Sequence, residues 1–223
     1  MPTAFVDILT DNFGEFSSGF WVTVRLVVVA FAIAMVVGTL IGAFRVAPNK
    51  WLQRAGGLYV EFFRNIPLLV LLILLFYGLR DKNGPGIPIT GFVAGVLGLG
   101  LYTAAYIAEA LRSGVFSVSK GQIEASLSLG FSYTETMRRI ILPQAFRTVI
   151  SPIGSLIIAM IKNSAVIGVA LALDDLLKVG RTIQSRNFQT FETFFWAGVG
   201  YLILTGLVTV VIRQLENRYA IKR

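Results

Sequence analysis

The sequence predicts an all-α integral membrane protein with five transmembrane helices, an external N-terminus and a cytoplasmic C-terminus. Of its 223 residues, 55% are hydrophobic and only 14% are charged, whereas soluble domains are about 45–50% apolar and about 25% charged. The apolar residues fall into five long stretches, and most basic residues lie between them. Because the chain has no cysteine and no histidine, we expect no disulfide, no thiolate metal site and no histidine-based catalysis.

A helix needs roughly 20 residues to cross the hydrocarbon core, and most of the apolar stretches are about that long. The second stretch is short, so its helix is expected to begin further back, near Leu58. Glycines in the third stretch allow close helix contact. The predicted spans are residues 26–44, 66–79, 87–108, 148–173 and 193–212.

The segment MPTAFVDILTDNFGEF precedes the first predicted span. It has no basic n-region and carries three acidic residues, so it is unlike a cleavable signal peptide. Its apolar residues instead predict a short helix lying in the membrane interface. Those residues are Phe5, Ile8, Leu9, Phe13 and Phe16.

The distribution of Lys and Arg predicts the orientation. With the N-terminus outside, the segments on the cytoplasmic side hold twelve basic residues and the external segments hold six. This excess favours an external N-terminus and a cytoplasmic C-terminus, since basic residues concentrate in cytoplasmic loops. Five spans also place the two termini on opposite sides, as this orientation requires.

The longest predicted cytoplasmic segment, residues 114–145, separates two apolar spans but is itself polar, and it contains residues that typically begin or end helices. Residues 120–129 predict a short amphipathic helix. Gly130 then stops this helix, and we expect a positive φ there, as is usual for a glycine just beyond a helix end.

A second short helix is predicted after this glycine. Ser132 and Glu135 have the spacing of a capping box, in which each side chain accepts a hydrogen bond from the other residue's amide. Pro143 is expected to end this helix. Two short helices that meet at a fixed glycine form a compact projection. It is interpreted either as a docking element for another protein or as an amphipathic loop on the lipid headgroups.

The spacing of residues in this loop resembles the EAA loop of ABC importer permeases. The family pattern is Glu-Ala-Ala, three residues, Gly, nine residues, Ile, one residue and Leu-Pro. Every spacing matches, and only Ser126 departs from it, replacing the second alanine with another small residue. The matching positions are Glu124-Ala125-Ser126, Gly130, Ile140 and Leu142-Pro143.

This resemblance implies that the loop forms coupling helices that insert into a groove on a separate ATP-binding subunit. ATP and Mg would therefore bind to that partner ATPase and not to this chain, which also lacks the Gly-x-x-x-x-Gly-Lys-Ser/Thr loop. The chain by itself is then expected to be no enzyme. The ATPase-coupling residues that the resemblance implies are Gln122, Glu124, Ala125, Ser126, Gly130, Leu142 and Pro143.

Other stretches resemble permeases of polar amino acid importers, over residues 20–213. They are YVEFFRNIPLLVLL, YTAAYIAEALRSGVFSVSKGQIEA and IIAMIKNSAVIGV, and "FRNIPL" with "KNSAVIG" is similar to glutamate-type systems. The resemblance implies a multi-pass subunit of a prokaryotic cell membrane. It also implies two ATPase subunits, a second permease subunit (the same or homologous), an extracytoplasmic solute-binding protein and a polar, acidic or amide amino acid as substrate.

Polar groups near the second span are candidates for the substrate pathway. Glu61 and Arg64 are three residues apart, so they can share a helix face and form a structural ion pair. Alternatively, Arg64 offers its planar guanidinium to a substrate carboxylate. Asn65 lies beside it, and Pro67 is expected to loosen the helix there.

A second polar group interrupts the fourth span. Lys162, Asn163 and Ser164 follow one another within an otherwise apolar segment. Lys162 either extends to the membrane interface or contributes to the pathway, because charges inside a span are costly. Glu109 and Arg112 are three residues apart just beyond the cytoplasmic end of the third span, and they are expected to hold the polar loop in place.

Two classes of function stay open at this point. The first is the permease subunit of an ATP-driven amino acid importer, formed by one transmembrane domain over residues 1–223. The alternative is a stand-alone secondary transporter or channel for small polar solutes, which would more usually show inverted repeats and more spans. A structural scaffold would leave the design of the polar loop unexplained.

Overall fold

The computed structural model describes residues 2–81 and 84–219, and within them it contains helices and no strand. Nine α-helices follow one another in this part of the chain. They are α1 (Pro2–Val46), α2 (Lys50–Asn65), α3 (Leu68–Ile73), α4 (Gly91–Phe116), α5 (Lys120–Ser128), α6 (Tyr133–Thr136), α7 (Leu142–Leu171), α8 (Leu176–Asn187) and α9 (Thr190–Tyr219).

Four helical segments in the described residues are long and apolar enough to cross a membrane, and a bent pair makes a fifth if it counts as one span. The four segments lie at Phe5–Val46, Gly91–Phe116, Tyr133–Leu171 and Thr190–Tyr219. The helices extend beyond the predicted spans at their polar ends, because a helix continues through charged residues that hydropathy excludes from a span.

Helix α1 corrects the prediction of a separate interfacial helix at the N-terminus. Its 45 residues are one uninterrupted helix, about 68 Å long at 1.5 Å per residue, whereas a hydrocarbon core is about 30 Å thick. The N-terminal part is held by α8 and α9, since Ile8 and Phe16 are buried in one cluster with Ile183. Trp196 also donates its indole N–H to the Phe5 carbonyl at 2.8 Å.

The second span is bent, whereas one helix from near Leu58 was predicted. Helix α2 and the helical segment Leu68–Gly78, which consists of α3 and a π-helical turn, meet at 98°. The break lies at Ile66, which has an extended backbone (φ −85°, ψ 132°). Pro67 causes this, because proline disfavours a helical conformation in the residue before it and has no N–H to donate.

Helix α4 forms the centre of the bundle and packs on α1, α2, α3 and α7. Its contact with α1 is close because glycine lies at the crossing. A Cβ at Gly38 would lie 2.8 Å from the Ile107 side chain, and a Cβ at Gly100 would lie 3.1 Å from the Ala30 carbonyl oxygen. Small residues of this kind let helices in a membrane approach each other closely.

Helix α8 was not predicted. It lies between α7 and α9, and Leu176, Val179 and Ile183 bury one of its faces. Their spacing of three and four residues is the signal that could have revealed it. Three basic residues in the segment (Lys178, Arg181 and Arg186) hid this apolar stripe from a search for long apolar stretches.

The close contact between α1 and α4 gives a test of the fold. We expect Gly38→Val to lower the melting temperature of the purified protein by several degrees, because its side chain would overlap Ile107 and overpacking costs about 1–3 kcal/mol. Gly206→Val is the matched control, since a Cβ at Gly206 meets no atom within 4 Å. Equal melting temperatures for the two variants would contradict this packing.

Candidate functional site: a helical loop joined to the fourth span

The knob, defined as residues 120–141, consists of α5, a glycine turn, α6 and a π-helical turn at Met137–Ile141. Gly130 has φ +87°, which confirms the predicted positive φ. Its amide donates to the Leu127 carbonyl at 3.0 Å, and the Phe131 amide donates to the Ser126 carbonyl at 3.1 Å. This pair of bonds is a Schellman motif, which satisfies the last carbonyls of α5 and sets the direction of the chain.

The capping box at the start of α6 is confirmed. The Ser132 hydroxyl accepts from the Glu135 amide at 3.3 Å, and the Ser132 amide donates to the Glu135 carboxylate at 3.0 Å. These two bonds satisfy amide groups that would otherwise lack partners at the helix N-terminus. They stabilise a helix that has only four residues before the π-helical turn.

Two buried hydroxyl groups join the halves of the knob. Ser126 and Thr136 are 2% and 0% exposed, and their hydroxyl oxygens are 2.9 Å apart. The Ser126 hydroxyl donates to the Ile123 carbonyl at 2.8 Å, so Thr136 is the donor in the hydroxyl pair. Ser126 is the residue that departs from the family pattern, and an alanine there would leave Thr136 without this acceptor.

The other residues predicted to couple to an ATPase lie on the outside of the knob or at its base. Glu124 and Ala125 are exposed. Gln122 accepts a hydrogen bond from Gln144 at 2.9 Å, which ties α5 to the start of α7. Leu142 is exposed at that start. Their role in coupling stays a prediction.

Pro143 does not end the second helix, and this prediction was wrong. The helix continues from α6 through the π-helical turn at Met137–Ile141 into α7. Pro143 lies directly after the π-helical turn, within this continuous helix. Residues 133–171 therefore form one helical rod, which connects the knob directly to the fourth span.

The structure does not contain the predicted ion pair between Glu61 and Arg64. Among the residues it describes, the ion pairs are Arg45–Glu109, Arg112–Glu109 and Arg186–Glu15. The Arg64 guanidinium instead lies 5.5 Å from the centre of the Tyr106 ring on α4, a cation–π contact. The side chain of Glu61 is exposed.

Arg64 lines a cleft of about 470 Å³ between α2, α4 and α7. Tyr106, Thr148, Pro152 and Ser155 line the same cleft, and sequence analysis did not single out the last three. Pro152 lies inside α7, so the Thr148 carbonyl lacks its usual i+4 amide donor. An internal proline in a span is the signal that could have identified this part of the cleft.

The polar group of the fourth span does not line the cleft that Arg64 lines. Asn65 is exposed near Arg64, whereas Lys162 is exposed on α7 outside the 470 Å³ cleft. Asn163 is half-buried, and Ser164 is buried and donates to the Ile161 carbonyl at 2.8 Å. The Ser164 hydroxyl therefore already donates a hydrogen bond within α7. The pathway role of all these residues stays a prediction.

Glu109 has two partners, of which the sequence indicated one. Its carboxylate accepts from Arg112 at 2.6 Å, as expected, and from Arg45 at the end of α1 at 3.2 Å. The second contact joins residues that are 64 positions apart, so local spacing could not reveal it. Together the two bonds fix the ends of α1 and α4 from which the knob projects.

A buried carboxylate fixes the opposite end of the bundle. Asp175 is 0% exposed, caps α8 by accepting from the Lys178 amide at 2.9 Å, and accepts from the Tyr201 hydroxyl at 2.8 Å. Burial raises the pKa of the Asp175 carboxyl to about 6. The neighbouring Leu176 amide donates to the Thr23 hydroxyl at 3.2 Å, so α1, α8 and α9 meet here.

The arrangement of these helices is that of a transporter permease. The crystal structure of an amino acid ABC transporter with histidines matches it with a TM-score of 0.87 at 31% identity, over 94% of this chain and 96% of that one. Residues 18–220 match the family model described as the binding-protein-dependent transport system inner membrane component. The chain belongs to this family of membrane proteins.

Relatives of known name extend over nearly the whole chain. The "Probable glutamine ABC transporter permease protein GlnM" of Bacillus subtilis is 40% identical over 213 residues, which cover 96% of this chain and 97% of that protein. The "Glutamate transport system permease protein GluC" of Corynebacterium efficiens is 35% identical, with 92% and 93% covered.

The glycine turn of the knob gives a second test. We expect Gly130→Val to abolish or strongly reduce binding of the ABC ATPase, because valine strains a backbone at φ +87°. Co-purification of the ATPase with the variant measures this, and the melting temperature of the permease shows whether the spans stay folded. Gly121→Val is the control, since Gly121 lies in the same knob without a positive φ and a Cβ there meets no atom within 4 Å. Normal ATPase binding by Gly130→Val would contradict the prediction.

Proposed function

We propose that this chain is the transmembrane permease subunit of an ATP-driven ABC importer for a polar L-amino acid, acidic or amide. The observation that carries the proposal is the continuous helix from the knob into the fourth span, over residues 133–171. A rod of this kind moves the span whenever a partner moves the knob. Family membership and the names of the relatives support the same function.

The proposed complex contains two ATPase subunits, a second permease subunit and an extracytoplasmic solute-binding protein. The ATPases hold ATP and Mg, and this chain performs no chemistry. Residues 1–223 act as one domain, with the N-terminus outside and the knob and C-terminus in the cytoplasm. The count of basic residues supports this orientation, because twelve of them fall on the side of the knob.

The proposed mechanism is alternating access. ATP binding draws the two ATPases together, and each knob moves with the ATPase on which it is seated. Because Ser126 and Thr136 bond the halves of the knob at 2.9 Å, the knob moves as one body. The rod then shifts α7 against α4, which opens the pathway to a loaded binding protein outside.

An acidic or amide substrate is proposed from the charges available to the pathway. An amino acid carboxylate that leaves water needs fixed donors or cations. The chain offers Arg64 beside the cleft and Lys162 on α7, whereas Glu61 is the one acidic residue near Arg64 on α2. The relatives' names, which specify glutamine and glutamate, favour the same class of substrate.

Arg64 and Lys162 give the test of the pathway. We expect Arg64→Ala or Lys162→Ala to lower amino acid uptake by reconstituted complexes at least about tenfold while basal ATP hydrolysis persists, since a lost ion contact is worth about 1.4 kcal/mol or more. Arg181→Ala removes an exposed basic residue of α8 and is the control. Normal uptake by both test variants would contradict a pathway role for these residues.

The stand-alone transporter is separated from the importer by omitting subunits. Liposomes that contain the permease alone should show no uptake of glutamate or glutamine. Liposomes that contain the permease, the ATPase and the binding protein should show uptake that requires ATP inside. Uptake by the permease alone along an ion gradient would overturn the proposed function.

A further inference from the structure

A basic cleft of about 660 Å³ lies between α1, α2 and α4, at the end of the bundle that carries the knob. Four of the side chains that line it are cationic, namely Arg45, Lys50, Arg54 and Arg112, and one is acidic, Glu61. The cleft is separate from the one beside Arg64 and Tyr106.

The charges in the basic cleft do not balance. Arg45 and Arg112 share the single carboxylate of Glu109, at 3.2 and 2.6 Å. Lys50 and Arg54 form no ion pair among the described residues. Even when Glu61 is counted, the cleft has two more positive than negative charges, so it attracts an anion.

Arg45 lies half-buried at the back of this cleft. Its side chain is only 22% exposed, and its Nε is buried without a hydrogen-bond partner in the described part of the chain. The absence of a side chain at Gly57 makes room for this guanidinium, since a Cβ there would lie 3.0 Å from a terminal nitrogen of Arg45. A preorganised guanidinium of this kind suits a phosphate group, since Arg binds phosphate through a fork of N–H donors.

An apolar stripe of α2 lies beside the basic cleft. Trp51, Leu58 and Phe62 are 75%, 69% and 58% exposed, and their spacing of seven and four residues puts them within about 40° on the helix. At the same 100° per residue, Lys50 and Arg54 lie about 60–100° away from Trp51. Tryptophan beside basic residues is typical of a membrane interface, and the Arg54 guanidinium lies 5.4 Å from the centre of the Trp51 ring.

We infer that the basic cleft binds the phosphodiester headgroup of an anionic phospholipid, whose acyl chains contact Trp51, Leu58 and Phe62. The positive charge selects an anionic phosphate. A free phosphate ion would use the same cations, but it would leave this adjoining apolar stripe without a role. Basic pockets between helices at the membrane surface bind lipid headgroups in this way.

Lipid selection by the purified permease tests this inference. The protein in detergent is mixed with equal amounts of phosphatidylglycerol and phosphatidylcholine that have the same acyl chains, and bound lipids are counted by native mass spectrometry. We expect the wild type to retain phosphatidylglycerol preferentially. Lys50→Gln/Arg54→Gln should reduce this preference on the order of tenfold, and it leaves the Glu109 ion pairs intact. Lys50→Arg/Arg54→Lys should keep the preference.

Arg213→Gln/Arg218→Gln is the matched control, because it removes two exposed basic residues of α9 near the same end of the bundle. It should retain the preference for phosphatidylglycerol. An unchanged preference in Lys50→Gln/Arg54→Gln, or an equal loss in the control, would overturn the inference. Displacement of the lipid by inorganic phosphate at equal concentration would also overturn it, since the cleft would then recognise a free anion.

Discussion

The continuous helix of residues 133–171 connects the knob to the fourth span, and it constrains the packing of α1, α3, α4, α8 and α9, all of which contact α7. The connection is a single helical segment, as the proposed coupling requires. The π-helical turn at Met137–Ile141 and the internal Pro152 are irregularities in this rod, and π-helical turns often lie at functional sites. The turn at Gly130 and the bond between Ser126 and Thr136 keep α5 fixed on the rod.

The proposed coupling needs the helix of residues 133–171 to move against a fixed part of the bundle. Helices α1 and α4 provide this support, because Gly38 and Gly100 allow the two helices to pack in close contact. Glu109 joins their ends beneath the knob, and Asp175 joins α1 to α8 and α9 at the other end through its cap and the adjacent Thr23 contact. The cleft beside Arg64 lies between this support and the rod, where relative motion would change its shape.

Local chemistry could be predicted from the sequence, and long-range geometry could not. Hydropathy located the spans, and the knob's capping box and positive φ at Gly130 followed from residues a few positions apart. The bend at Pro67 was expected as a weak point, but its 98° angle depends on packing against other helices. Likewise, Arg64 contacts Tyr106 on α4 and does not pair with Glu61 on its own helix. Spacing within α2 carries no information about a residue on α4.

Site-specific crosslinking tests whether the knob docks on an ABC ATPase, because a chain without cysteine can carry one reactive thiol. Leu129 is 80% exposed on the knob, and Leu202 is 71% exposed in the middle of α9. A photoreactive label on Leu129→Cys should crosslink to the co-produced ABC ATPase, whereas the same label on Leu202→Cys should not. No crosslink from Leu129→Cys to the ATPase, or equal crosslinking from both positions, would contradict docking of the knob on the ATPase.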